Sequence, residues 1–388
     1  MAGGTPLRVA IVAGEESGDL LGADLVDGLI EATGRPVELI GVGGAHLAAH
    51  GLDSLFDPGE IALMGVTQIV ARLPQLMRRI SSTAAAIARA RPDCLITIDS
   101  PDFSLRVARK VKAACPDLPV IHYVCPSVWA WRPERARKMA AYVDRVLCIL
   151  PFEAEALKRL DGPPGTYVGH RLAGRAELTA ASQRQRNRLP RTAGDPLTLL
   201  LLPGSRRSEV RALIDPFRQS VAALERRGYT VRLVLPTVEH VRGLVEEATA
   251  DWSIRPEIVT GVAEKYAAFG AADVALAASG TVSLELALAR VPTVLCYKAD
   301  FLGRLLYRMI TVWSAALPNL IADRPVVPEF FDQFVRPEMI ARHIEQLARD
   351  SHMRAAQLEG FDVVRSTMET DRPSGVIAAE AVLSHLDA

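Results

Sequence analysis

LLLLPGSRRSEVR, Leu199 to Arg211, carries the clearest structural signal in the chain. A short apolar run ends in Pro203, Gly204 and Ser205, and a helical pattern opens at Arg206 and Arg207, so the unit reads strand, tight turn, helix. Free N–H groups at a helix start, the helix dipole and a guanidinium together make an anion site. A solvent-exposed connection is the alternative, but cations at a helix N-terminus oppose the macrodipole unless an anion sits there. Phosphate binding is therefore the preferred reading.

The same grammar recurs on both sides of it. LTLLLLPG, VRLVLP, PEIVTG, DVALAASG and PTVLCY follow one another downstream, while LRVAIVA, VELIGVG, CLITID, PVIHYV and RVLCIL precede them. Each is followed by a turn and an amphipathic stretch, which is the signature of parallel sheets wound by helices. The polar segment Ala180 to Pro196 separates the series. The expectation is an α/β protein of two Rossmann-like domains facing a cleft, residues 1–180 and 181–388, with the terminal helices free to return to the first domain.

Composition narrows the classes. At 388 residues two domains are expected, and a formal net charge of zero lacks the basic field a nucleic-acid binder uses, so no nucleic-acid partner is expected. The five cysteines show no CxxC spacing and read as reduced core thiols of a cytoplasmic protein. No two aspartates stand two apart and the histidines do not cluster, so neither metal nor cofactor is expected. Val9 to Ala13 is too short for a signal peptide, and no apolar run approaches the ~20 residues of a membrane span.

Side chains that do chemistry gather beyond the carboxyl ends of parallel strands. ALAASGTVSLELAL places Ser279, Gly280 and Thr281 in such a turn, with Glu285 one helical turn on. That arrangement suits a diphosphate and ribose hydroxyls, or else an ordinary cap with a surface acid. AGEESGDLLGADL resembles a nucleotide loop, yet Glu15 and Glu16 repel a pyrophosphate and suit a hydroxyl-rich sugar. GVGGAH puts His46 where a third glycine belongs, so it reads as a close-packed turn. TIDSPDF ends a strand in Asp99, the position for a general base, with Asp102 the better N-cap of the next helix.

Two stretches keep two readings each. Trp129 and Trp131 pack a ligand or the opposite domain, or form a hydrophobic cluster under their loop, and Arg132, Arg135 and Arg137 face an anionic partner or solvent. Val66, Ile69, Val70, Leu73, Leu76, Met77 and Ile80 recur at helical spacing among Arg72, Arg78 and Arg79, with Pro74 expected to split or kink the helix. This stripe is either core or a membrane-interface face that meets acyl chains.

Taken in order, GEESGD, MGVTQIV, IDSPDF, HYVCPSVWAWRPERARKM, VGH, LLPGSR, ASGT with Glu285, and LPNLIADRPVVPEF resemble the motif series of the lipid-A-disaccharide synthases over nearly the whole chain. The resemblance implies a GT-B fold and an inverting transfer in lipid A biosynthesis. Diacylglucosamine passes from UDP-2,3-diacylglucosamine to 2,3-diacylglucosamine 1-phosphate, giving a β-1,6 disaccharide and UDP at the cytoplasmic face of the inner membrane. It also implies Asp99 as base and Arg206 as stabiliser of departing UDP. Gly204, Ser205, Arg206, Ser279, Gly280, Thr281 and Glu285 are then the donor site, and Glu15, Glu16, Ser17, Trp129 and Asn319 the acceptor site. Val66, Ile69, Val70, Leu73 and Leu76 become membrane contacts. Arg171 and Ser100 depart from the family's usual proline and alanine. The competing readings are a UDP-N-acetylglucosamine 2-epimerase and a non-catalytic carrier of lipid-linked sugar nucleotides.

Overall fold

The computed structural model describes residues 5–62, 66–188, 194–299, 310–349 and 351–387, with backbone alone for residues 62 and 66–72. The chain forms two compact units: Met1–Arg171 with Met309–Thr311 and Thr370–Ala388, and Leu172–Arg308 with Val312–Glu369.

In the first unit, β1 (Leu7–Ala13), β2 (Val37–Val42), β3 (Cys94–Ile98), β4 (Val120–Tyr123), β5 (Arg145–Cys148) and β6 (Gly165–Tyr167) form one parallel sheet in the order β2-β1-β3-β4-β5-β6. Its helices are α1 (Glu16–Thr33), α2 (Ala45–Ala49), α3 (Gly59–Ala62), α4 (Val66–Ala90), α5 (Pro101–Ala114), α6 (Glu134–Met139) and α7 (Glu153–Arg159). Every residue of β3 is buried, as a parallel strand covered on both faces requires.

The second unit repeats the plan with β7 (Leu197–Leu202), β8 (Val231–Pro236), β9 (Glu257–Val259), β10 (Val274–Ala278), β11 (Thr293–Tyr297) and β12 (Glu329–Phe331), ordered β12-β11-β10-β7-β8-β9. Around it lie α8 (Ala176–Arg186), α9 (Arg207–Arg226), α10 (Glu239–Thr249), α11 (Val262–Ala271), α12 (Thr281–Leu288), α13 (Leu317–Ala322), α14 (Pro337–Ala348) and α15 (His352–Met368). The last helix, α16 (Ser374–Leu386), belongs to the first unit and packs on α1. Glycines permit the close approach, since a Cβ on Gly28 would fall 2.6 Å from the Gly375 carbonyl oxygen. Arg171 is anchored there too, its Nε 2.8 Å from Asp24 on α1.

Two local expectations are corrected. Pro74 does not split its helix: α4 runs from Val66 to Ala90 across it. A proline there removes one bond of the ladder, while Leu76, Ile80, Ala84 and Ile87 anchor the helix in the core. Asp102 is not the cap of α5. That position is Ser100, and Asp102 stands in the first turn, paired with Arg135 at 2.8 Å.

Candidate active site

Each sheet has one place where the chain winds to opposite sides from adjacent strands, and there the loops part and leave a crevice. In the first unit it lies between β1 and β3, with Ala13 beside Ile98 in register. Gly14, Glu15, Glu16 and Ser17 leave one strand, and Asp99 and Ser100 leave the other. The loops touch, because a Cβ on Gly14 would stand 3.0 Å from Ser100 Oγ. Glu15, Glu16 and Ser17 are exposed at the start of α1. Asp19 is turned inward, accepting from the N–H groups of Gly44 (2.6 Å), His46 (2.8 Å) and Leu47. The GVGGAH turn is thus closed by a carboxylate of the protein itself.

Asp99 and Ser100 both take left-handed backbone, φ +48° and +42°. Such non-glycine positions cost about 1–3 kcal/mol each and persist only where neighbours hold them. Here the Asp99 N–H donates to Tyr123 O at 3.0 Å and Ser104 Oγ donates to Asp99 O at 2.5 Å. The Asp99 carboxylate accepts from the Ser100 N–H at 2.8 Å. Burial pushes its pKa above the ordinary carboxylate value and that hydrogen bond pulls it back, so Asp99 is a stronger base than an exposed aspartate. Ser100 Oγ has no hydrogen-bond partner among the described residues, so alanine would serve as well there.

Trp129 is half-buried, its indole N–H 3.2 Å from Glu153 and its ring edge-on to Phe152 at 5.0 Å. The cluster under the loop is therefore formed. Glu153, which the sequence did not single out, also accepts from the N–H groups of Ile149 and Leu150 at 3.0 Å, and burial still pushes it up to about 7. Together with Cys125 and Cys148 it could surround a cation, the ligand atoms lying within 4.8 Å of one another. The trio is a poor metal site, because Glu153 is already satisfied and the hydrogen bond to Cys148, with burial, pushes the Cys125 thiol up.

In the second unit the corresponding crevice lies between β7 and β10, with Leu202 beside Ala277 in register. A cavity of about 320 Å³ opens there, lined among others by Gly204, Ser205, Arg206, Glu209, Lys265, Ser279, Gly280 and Thr281. Two loops 75 residues apart in the chain thus meet at one pocket of ligand size. Arg206 is the N-cap of α9, its guanidinium reaching Glu209 at 3.0 Å. The Glu209 carboxylate also accepts from the N–H groups of Ser205 (3.1 Å) and Arg206 (3.2 Å). A glutamate at the third helical position, able to reach back to the N–H groups before the helix, is the signal that could have revealed it.

Three expected site residues sit differently. Glu285 does not line the cavity: Lys265 Nζ takes one of its oxygens at 2.6 Å and Tyr266 Oη the other at 3.2 Å. Lys265, unnoticed in the sequence, is the group that reaches the pocket. Asn319 is buried, donating to Ser314, Val327 and Glu329 and accepting from the N–H groups of Val326 (2.8 Å) and Val327 (2.7 Å). With its amide satisfied it braces the loop whose Ala315 carbonyl accepts from Ser279 Oγ at 3.0 Å. Leu76 belongs to the core of the first unit, whereas Leu73 and Met77 are exposed; the side chains of Val66, Ile69 and Val70 lie outside the described residues.

Among the described residues no helix is long and apolar enough to cross a membrane. The model of the family described as lipid-A-disaccharide synthetase matches residues 9–375. A lipid-A-disaccharide synthase from Rhodopseudomonas palustris (strain HaA2) is 46% identical over 390 residues, covering 99% of this chain and 97% of its own. Of solved structures, MurG from Acinetobacter baumannii aligns with a TM-score of 0.59 at 13% identity, over 99% of both chains. A UDP-GlcNAc 2-epimerase from Neisseria meningitidis aligns at 0.58 and 12% identity, over 98% of this chain and 99% of that one. At such identities the likeness carries the fold alone, the two-unit GT-B arrangement of parallel sheets. Chemistry is decided by the sequence relative and the family match, and on both the chain belongs to the lipid-A-disaccharide synthetase family of glycosyltransferases.

Proposed function

We propose that this glycosyltransferase draws 2,3-diacylglucosamine from its UDP derivative, bound at the β7/β10 crevice, and passes it to 2,3-diacylglucosamine 1-phosphate, with Asp99 as base. The observation that carries the reading is the convergence of the Gly204–Arg206 and Ser279–Thr281 loops, with Lys265, on one pocket. A diphosphate entering here takes the place of the Glu209 carboxylate on the Ser205 and Arg206 N–H groups, and Arg206 and Lys265, each now paired with a glutamate, turn to meet it without a metal. In the transfer, the acceptor's 6-hydroxyl oxygen bonds to the anomeric carbon as the bond from that carbon to the diphosphate breaks. The hydroxyl proton goes to Asp99, and the charge left on UDP is met by Arg206 and Lys265. Glu285 acts by fixing Lys265, and Asn319 by bracing the Ser279 loop.

Glu15, Glu16 and Ser17 are assigned to the acceptor's hydroxyls, because they stand at the same crevice as Asp99. Trp129, its N–H committed to Glu153, offers the acceptor a ring face. Residues 1–171 are thus the acceptor and lipid unit and residues 172–308 the core of the donor unit. The exposed Leu73 and Met77 on α4 support peripheral association with the cytoplasmic face of the inner membrane. Calorimetry with UDP tests the donor assignment: Arg206→Ala should weaken binding and Glu16→Ala should not, and the reverse pattern would overturn it.

A further inference from the structure

The function proposed above leaves one large feature of the first unit unused. A groove of about 630 Å³ runs between one face of α5 and the facing side of α6 with the turn after it. Arg106, Arg109 and Lys112 contribute from α5, Arg135 and Lys138 from α6, and Tyr142 lies partly buried at its wall. Two of the five cations are spent, Lys112 on Asp144 and Arg135 on Asp102, each at 2.8 Å. Among the described residues, Arg106, Arg109 and Lys138 have no carboxylate partner. A solvated basic face is the ordinary explanation of exposed arginines. This chain, however, has a net charge of zero and pairs arginines with acids elsewhere, as with Arg186 and Arg290 on Asp362. Three unpaired cations on facing helix flanks therefore concentrate positive charge in a concave place.

The groove has an apolar shoulder. Arg106 Nη1 lies 3.8 Å from Met77 Sδ, and Met77 and Leu73, one turn apart on α4, are both exposed. Cations beside exposed hydrophobes match an amphiphile with a phosphate head, whereas a soluble anion would need no such shoulder. We propose that the α5/α6 groove receives the phosphate headgroups of anionic membrane lipids, while Leu73 and Met77 enter the acyl boundary beside it. The proposal rests on the membrane-association reading above and names the site that would confer lipid selectivity on it.

The test is co-sedimentation of the full chain with phosphatidylglycerol or phosphatidylcholine vesicles at low salt. Binding should favour phosphatidylglycerol and fall as salt is raised. A cation near an anionic surface contributes about fivefold in affinity, so Arg106→Glu, Arg109→Glu and Lys138→Glu together should cut phosphatidylglycerol binding by on the order of 100-fold or more. Turnover of detergent-dispersed substrates should be unchanged, which also shows that the variant folds. Native-like vesicle binding by the triple variant overturns the groove alone. Leu73→Ser with Met77→Ser then shows whether the membrane reading survives without it. Failure of the native chain to bind either vesicle overturns both, and binding of inorganic pyrophosphate at the groove without vesicle binding overturns the lipid assignment.

Discussion

Lys265 reaches the β7/β10 pocket because Glu285 holds it, Nζ to Oε2 at 2.6 Å, across two different helices. The same ammonium lies over the rings of Tyr266 (5.0 Å) and Phe269 (5.8 Å), so a carboxylate and two aromatic faces hold one charge. A fixed ammonium loses little freedom when a diphosphate arrives, which is how a positioning acid can improve anion binding without touching the anion.

Lys265→Ala should therefore lose a charge-assisted contact worth about 1.5–3 kcal/mol, or about 10- to 100-fold in UDP affinity. Glu285→Gln, which keeps the shape and frees the lysine, should lose a smaller part of it. Calorimetry with UDP reads both; a Glu285→Gln protein binding UDP more weakly than Lys265→Ala would mean that the glutamate itself meets the nucleotide.

Gly204 is the residue that the turn after β7 cannot exchange. Its φ is +119°, and a Cβ would fall 2.5 Å from Glu209 Cβ, so a side chain meets both backbone strain and a fixed neighbour. Gly204→Ala should destabilise the protein by about 1–3 kcal/mol and weaken UDP binding at least about tenfold. Thermal melts with and without UDP separate the two effects, and unchanged UDP-induced stabilisation would remove the loop from the donor site.

Much of this was legible in the sequence, for physical reasons that differ by residue. The Leu199–Arg211 unit and Asp99 were readable because strand, turn and helix start each leave a local signature. Glu285 and Asn319 lack such a signature. A polar residue in a motif looks the same whether it meets a ligand or its own chain, and only the partners, Lys265 for one and the Val326 and Val327 N–H groups for the other, tell them apart. Leu73 and Leu76 illustrate the limit of periodicity: both fit one helical stripe, yet the core takes only the second.

That contrast is measurable. Leu73→Ser alters an exposed side chain and should change stability by no more than about 0.5 kcal/mol while reducing recovery with membranes. Leu76→Ser empties a core position and should cost about 2–5 kcal/mol. Equal destabilisation by the two would place Leu73 in the core and remove it from the membrane face.

Glu153 gives a pH signature. Burial raises it from the 4.5 of an unconstrained glutamate to about 7 in the folded chain, so folding favours its protonated form. Its contribution to stability is then full below about pH 4.5 and lost as pH rises through about 7. Glu153→Gln mimics the protonated state at every pH. Between pH 5 and pH 8 the native protein should lose stability relative to that variant, by up to about 3 kcal/mol. Denaturant melts at the two pH values check this, and parallel behaviour of the two proteins would exclude Glu153 as the titrating group.

A strained backbone holds Asp99 at the carboxyl end of β3, and burial makes it more basic than an exposed aspartate. Because its pKa is raised, the acid limb of kcat/KM should lie above the range of an ordinary carboxylate, activity being lost as pH falls through that value. The direct measurement is kcat of Asp99→Asn with UDP-2,3-diacylglucosamine and 2,3-diacylglucosamine 1-phosphate, beside UDP affinity by calorimetry and an Asp102→Asn control that loosens only the exposed pair with Arg135. A base at Asp99 requires that kcat fall by about 10²- to 10⁴-fold in Asp99→Asn, with UDP binding unchanged and the control active. Near-native turnover by a folded Asp99→Asn protein would exclude Asp99 as the base and move the search to Glu15 and Glu16.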